Sequence, residues 1–216
     1  MNIAVILAGC GQLDGSEIHE SVLTLLSIKQ QNANYQCFSL NSAQEHVSDH
    51  LSRTNVSNES RNMLVESARI ARGYIKPLEA IDINQFNALI IPGGNGIAYN
   101  LFDYASKGEN FSVNPVIRDT CIAFTKVKKP VGFICIAPVM IPKIYPNKIT
   151  MTIGTDHETT NLVTKLGAIH QNCNVDEICV DTAYKIISTP AYMLAKDIQE
   201  AYIGISKLVA KVVELA

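Results

Sequence analysis

The sequence predicts an α/β domain built on a doubly wound, mostly parallel sheet with helices on both faces. Two observations carry that expectation. Short, β-branched apolar runs alternate along the chain with longer stretches of helical periodicity. The runs are apolar throughout, as strands covered on both faces are. The chain has 216 residues, enough for one domain with a large core, and we read residues 1–216 as that single domain.

The elements follow in order. "NIAVILA" (2–8) reads as a fully buried first strand. "SEIHESVLTLLSIKQQ" (16–31) reads as a helix with Ser16 placed to cap it and Ile18, Val22, Leu25 and Leu26 at helical spacing. "NYQCFSL" (34–40) is a weaker strand. Residues 41–86 interrupt the rhythm: "NSAQEHVSDHLSRTNVSNESR" is polar and reads as an insertion, and "ESRNMLVESARIARG" regains helical character until Gly73. "NALIIP" (87–92) and "PVGFIC" (130–135) are further buried strands, separated by the helix "NPVIRDTCIAFTKV" (114–127). "TTNLVTKLGA" (159–168) is helical, and "DEICVDTAYKIIST" alternates as a hairpin turning around Thr182–Tyr184. A terminal helix places Leu194, Ile198, Tyr202, Ile205, Val209 and Val212 on one face.

Composition excludes several functions. Formal net charge is −2, and the densest basic stretch is the four-residue "KVKK" (126–129), so nothing resembles a nucleic-acid footprint. Tryptophan is absent and aromatics amount to 6%, which argues against a base-stacking surface. No apolar run approaches membrane-spanning length. The apolar N-terminus lacks a basic leader region and reads as a strand, so the expected location is cytoplasmic and reducing. The six cysteines therefore need not be paired, and no Cys/His cluster has zinc spacing, so no metal is expected.

One cysteine stands apart. Cys135 ends an apolar strand, with Pro138 just beyond, so it occupies a strand-to-helix turn where open α/β sheets gather ligands. A helix N-terminus there would lower the thiol pKa below its usual value of about 8.5. The amide of Ile136, next in sequence, is positioned to stabilise an oxyanion. "PGGNG" (92–96) follows another buried strand, and its Gly93 and Gly94 let the backbone turn sharply beside Cys135, with Gly94 offering a second amide. "DGSEIHE" (14–20) sets Glu17 and Glu20 on one face at the start of the first helix, where either carboxyl could turn toward the thiol. The bland alternatives are a buried core cysteine, an ordinary tight turn and two dipole-favoured surface acids.

Together these motifs resemble the DJ-1/PfpI superfamily of the class I glutamine amidotransferase-like fold. The resemblance is most specific to its ElbB branch of isoprenoid-biosynthesis proteins with glyoxalase-type activity. It rests on "GCGQLDGSEIHE", "ALIIPGGNGIAYNL", "KPVGFICIAPVMIPKI", "TIGTDHET" and "STPAYMLAKDI", which span nearly the whole chain. The resemblance implies a flavodoxin-like sandwich, Cys135 at a nucleophile elbow, and a glutamate beside it, with Glu20 favoured over Glu17. It further implies a homodimer, no cofactor and a small reactive carbonyl substrate. Two departures matter. The residue after the cysteine is Ile136, where protease-like members carry histidine, and no late His–Glu pair completes an amidotransferase triad. His157, near a strand end, is placed to approach the site and His170 lies on the far side, while Asp156 and Thr155 are better placed to line the pocket.

What remains is a thiol, one acid/base carboxyl and two oxyanion amides, the parts of a cofactor-free glyoxalase converting glyoxal or methylglyoxal to the 2-hydroxy acid, or of a deglycase. Two other readings compete. One is a cysteine redox sensor or accessory protein of isoprenoid metabolism, with Cys10 as a second thiol. The other is a nucleotide-binding module suggested by "GCGQLDG" (9–15), whose glycine spacing is one residue too long and whose second strand lacks the ribose-binding acid.

Overall fold

The computed structural model describes all 216 residues. The first strand, β1 (Asn2–Ile6), shows how its sequence builds two layers. Ala4, Ile6 and Ala8 join one buried cluster, and Ile3, Val5 and Leu7 join another across the sheet. Strand side chains alternate between faces, so a continuous apolar run serves two cores at once.

The chain continues through α1 (Ile18–Gln30), β2 (Asn34–Ser39), and a small hairpin of β3 (Ser48–Asp49) and β4 (Thr54–Asn55). Then come α2 (Met63–Ile70), β5 (Ile75–Pro77), β6 (Ala88–Ile91), and the single-turn helices α3 (Ile97–Asn100) and α4 (Tyr104–Lys107). Next are α5 (Pro115–Lys126), β7 (Val131–Ile134), α6 (Ile141–Ile144) and β8 (Thr150–Met151). The chain closes with α7 (His157–Lys165), β9 (Ile169–His170), β10 (Cys179–Asp181), β11 (Ile186–Thr189) and α8 (Ile198–Leu215). None of these helices is long and apolar enough to cross a membrane.

Seven strands form the main sheet in the order β10-β11-β7-β6-β1-β2-β5. Every pair is parallel except β10–β11, the hairpin expected around Thr182–Tyr184. This is a flavodoxin-like α/β fold, as the sequence predicts. Helices α1 and α8 cover one face, and α5, α6 and α7 cover the other. From β1 the chain first winds outward through β2 to β5, and then returns to β6 and winds the other way. The reversal leaves a crevice beyond the carboxyl ends of β1 and β6, the place where such sheets bind ligands.

Four local expectations change. Residues 41–86 supply the small hairpin and α2, and their last part adds β5 to the main sheet as an edge strand. Ser16 is fully buried and accepts from the Ala8 amide at 2.9 Å, so it ties down the end of β1 and leaves capping of α1 to Glu17. Helix α1 is also rotated from the expected stripe. Leu25 packs inward beside Leu23 and Ile28, while Ile18, Val22 and Leu26 are 42–47% exposed. The face turned inward instead carries Glu20, Ser21, Thr24 and Ser27, all buried. In α8, Ile205, Val209 and Val212 are core residues, but Ile198 is exposed at the helix start and Leu194 precedes the helix.

The turn after β6 meets the loop after β1 backbone to backbone. A Cβ at Gly96 would overlap the Gly15 amide nitrogen, and the Gly96 amide donates to the Gln12 carbonyl at 3.0 Å. Backbone cannot yield as a flexible side chain can, so Gly96→Ala should lower unfolding stability by roughly 2 kcal/mol or more. Gly73→Ala, where the glycine has open space around it but φ +80°, should cost less. Chemical denaturation of the two variants checks the difference.

Candidate active site

Strand β7 alternates as expected up to its end: Val131 and Phe133 join one core, and Ile134 the other. The next residue breaks the alternation. Cys135 has φ +62°, in the left-handed region that non-glycine residues rarely occupy. The twist turns its side chain onto the Ile134 side of the sheet, the side covered by α1. Its amide donates to the Thr189 carbonyl at the end of β11 at 2.9 Å, which helps hold the strained turn.

Helix α1 brings Glu20 to the same point. The Glu20 side chain is fully buried beside the Cys135 thiol, close enough that each group shifts the other's ionisation. Its Oε2 accepts from the Gly93 amide at 3.0 Å and its Oε1 from the Tyr192 amide at 3.2 Å. Glu17 does different work. It caps α1, accepting from the Glu20 amide at 2.6 Å, and its own amide donates to the Gly93 carbonyl. The two glutamates are therefore separated by geometry: Glu20 meets the thiol and Glu17 holds the helix that carries it.

The glycine turn after β6 closes the third side. A Cβ at Gly93 would collide with the Cys135 Cβ and lie 2.7 Å from Glu20 Oε2, so only glycine fits between thiol and carboxyl. Gly94 has φ +113°, a conformation open to glycine. The amides of Gly94 and Ile136 lie near the Cys135 sulfur and favour its ionised form. The two amides suggested for an oxyanion thus converge on the thiol.

The expected depression of the thiol pKa does not occur. Beyond Cys135 the chain forms a 3₁₀ turn, Ala137–Met140, rather than a long helix with a strong dipole. Burial, and then the neighbouring Glu20, push the thiol well above its usual value, with the two amides opposing them. Burial also pushes the Glu20 carboxyl up to about 8, with Glu17 adding to the rise and Cys135 and the amides of Tyr192 and Gly93 opposing it. At neutral pH the resting pair is uncharged, and Glu20 is a carboxylic acid able to donate to sulfur.

The remaining candidates lie apart from this pair. Asp156 is exposed and caps α7, accepting from the Thr159 amide at 2.8 Å, and the Thr159 side chain together with that amide holds its carboxyl below the usual range. Thr155 is exposed beside it, and neither residue hydrogen-bonds to Cys135, Glu20 or the glycine turn. His157 pairs with Asn161 on α7, and His170 accepts from the Ile153 amide. Cys10 is half-exposed and faces Arg69, Glu66 and Asp14 instead of Cys135. A cavity of about 360 Å³ opens beside Ile136, lined also by Asn95, Tyr99 and Tyr104. Sequence reasoning missed the contributions of Thr189 and Tyr192. Both act through backbone groups, which no residue type advertises.

No family model matches the chain. Among curated proteins it is 37% identical over 222 residues to the rat "ES1 protein homolog, mitochondrial", covering 99% of this chain and 83% of that protein. The chain belongs to the ES1 family. A human member at 37% identity is named "Glutamine amidotransferase-like class 1 domain-containing protein 3, mitochondrial", and a zebrafish ES1 protein matches at 33%. A solved structure from Ehrlichia chaffeensis, an isoprenoid biosynthesis protein with an amidotransferase-like domain, superposes with TM-score 0.92 and 37% identity over the full length of both chains. This chain thus groups with that isoprenoid-biosynthesis protein as well as with ES1 proteins, as the motifs suggest. Candida albicans glyoxalase III (TM-score 0.64, 11% identity) and Drosophila DJ-1beta (0.56, 15%) share the fold. The mitochondrial names of the three curated relatives contradict the cytoplasmic location expected from sequence, and that expectation is withdrawn.

The raised Glu20 pKa has a consequence for stability. Between about pH 4.5 and 8 the folded protein keeps a Glu20 proton that the unfolded chain has released. Stability therefore falls as pH rises through that window. Glu20→Gln should flatten this part of the pH dependence of Tm. It should also lower the plateau, because the amide NH₂ must face one of the two backbone amides that Glu20 accepts from. An unchanged slope in Glu20→Gln would show that another group titrates there.

Proposed function

We propose that this ES1-family protein is a cofactor-free, glyoxalase-type enzyme that converts glyoxal or methylglyoxal to the 2-hydroxy acid. One observation carries the reading: a fully buried carboxyl set beside an elbow thiol, with two backbone amides near its sulfur. A thiol, an acid/base group matched to neutral pH and preorganised donors are what this chemistry requires.

The steps balance without an external oxidant. Cys135 sulfur adds to the aldehyde carbon, and its proton passes to the new oxygen, giving a hemithioacetal. The Gly94 and Ile136 amides stabilise the oxygen as charge develops on it. Glu20, once ionised, takes the proton from the former aldehyde carbon and returns one to the adjacent carbonyl carbon through an enediol. The aldehyde carbon is thereby oxidised to a thioester and its neighbour reduced to an alcohol. Water cleaves the thioester to glycolate or lactate and frees the thiol.

No histidine hydrogen-bonds to Cys135, so glutamine hydrolysis through a Cys–His–Glu triad is not part of this reading. A peroxide-sensing role fits less well, because oxidation favours an exposed thiolate and this thiol is buried with a raised pKa. The homodimer implied by the family resemblance is retained as part of the proposal, and light scattering of the purified protein tests it.

The experiment is direct quantification of glycolate and lactate formed from the two aldehydes by reduced protein. Cys135→Ser should fall to background, and Glu20→Gln should lose roughly 10²–10⁴-fold in kcat/KM. The parent rate should rise with pH toward a limb near 8 as Glu20 ionises. Aldehyde loss in stoichiometric amount without hydroxy acid would reduce Cys135 to an adduct site and end the proposal.

A further inference from the structure

The stretch "STPAYMLAKDI" (188–198) is one of the five that carry the family resemblance, yet the chemistry above uses none of its side chains. In the fold it follows β11 and wraps over the buried pair. Thr189 supplies the carbonyl that receives the Cys135 amide. Ala191, two residues on, is fully buried with φ +42°, a left-handed conformation costly for alanine. The next residue presents its amide to Glu20 Oε1 at 3.2 Å. Strain in a buried residue persists only where the surroundings hold it, and here it directs one amide at the fully buried Glu20 carboxyl.

A second contact holds the same residue from outside. The Tyr192 hydroxyl and His19 Nδ1 share a hydrogen bond of 2.8 Å, and their rings lie 5.8 Å apart. His19 immediately precedes Glu20 on α1. The two neighbouring residues of α1 therefore grip Tyr192 at both ends, Glu20 by its amide and His19 by its hydroxyl. The turn itself is closed by bonds from the Met193, Leu194 and Ala195 amides back to Pro190 and Ala191. Leu194 and Pro190 also lie against Gly154, within the stretch "TIGTDHET".

We propose that the His19–Tyr192 pair is a latch that positions Glu20, keeping the 189–195 turn seated on α1 so that the Tyr192 amide stays on Glu20 Oε1. Both are positioning residues, since neither side chain touches the thiol. The latch gives an enzyme without a histidine beside its cysteine a second anchor for its sole acid/base group. Gly93 fixes one carboxyl oxygen and Tyr192 fixes the other, so the acid proton is presented to sulfur in one orientation. The inference rests on the catalytic reading of Cys135 and Glu20 but is testable without turnover. The ionisable groups facing Glu20 are Glu17 and Cys135, and those facing Tyr192 are Glu17, Glu20 and Asp197, besides its His19 partner.

The test is a ¹³C NMR titration of the Glu20 carboxyl in protein labelled at the glutamate side chain, with the resonance assigned by its loss in Glu20→Gln. Tyr192→Phe and His19→Ala both remove the outer bond. Each should loosen the Tyr192 amide, which stabilises the ionised carboxyl, and move the Glu20 midpoint up by roughly half a unit or more. His19→Asn keeps a short polar group toward the hydroxyl and should restore much of the parental value. In turnover the two disrupting variants should lose kcat with KM little changed. Midpoints equal to the parent's in folded Tyr192→Phe and His19→Ala, or a shift in His19→Asn as large as in His19→Ala, would overturn the latch. Because His19 is exposed, its variants should fold even where Tyr192→Phe does not. A parent that makes no hydroxy acid, yet shows the variant shifts, would sink the catalytic reading and leave the latch standing.

Discussion

The structure is organised around one costly arrangement: a carboxyl group removed from water and set against a thiol. A buried ionised carboxylate without a countercharge is strongly disfavoured, and no cation approaches Glu20. The group is held as a neutral acid, with one oxygen on the Gly93 amide and the other on the Tyr192 amide. A carboxyl ionising at about 8 is poorly suited to a structural ion pair and well suited to moving protons near neutral pH. The same burial that costs stability tunes the group.

Four strand ends have to agree for this arrangement to exist. The loop after β1 leads to α1 and Glu20, the turn after β6 brings Gly93 and Gly94, β7 ends at Cys135, and β11 runs into the Tyr192 turn. Each junction uses a local device the chain would not otherwise need. Ser16 ties the end of β1, Gly96 lets two loops meet at backbone distance, and Cys135 and Ala191 take left-handed conformations. The twist at Cys135 matters most. An extended residue there would follow the strand alternation and point away from α1, and the thiol would never meet the carboxyl.

Much of this was legible in the sequence. The apolar runs read as strands because they serve two cores, and Cys135 and the glycine turn stood out because each follows such a run. What could not be read divides by physical cause. Helix α1 has apolar residues on two sides, and periodicity alone selected Ile18, Val22 and Leu26, which face outward. The helix is instead oriented by Glu20 and a row of small polar residues packed beneath it. The choice between Glu17 and Glu20 required coordinates, since three residues' separation sets both on one face and only capping geometry tells them apart. The direction of the thiol shift was misjudged because a helix dipole was assumed where the chain forms a 3₁₀ turn and burial dominates. Asp156 looked like a pocket residue and is a helix cap, a role that the same short acidic side chain fills equally well. Thr189 meets Cys135, and Tyr192 meets Glu20, through backbone groups, which leave no trace in residue type.

The most direct measurement of the central claim is the protonation state of Glu20 in the unmodified protein, read by isotope-edited infrared spectroscopy of the carboxyl across the neutral range, with Glu20→Gln as the subtraction. The account predicts a protonated acid at pH 7 that ionises with a midpoint near 8. A carboxylate already ionised at pH 7, with a midpoint near the ordinary glutamate value, would contradict it, because neither the neutral resting pair nor its proposed chemistry would then exist.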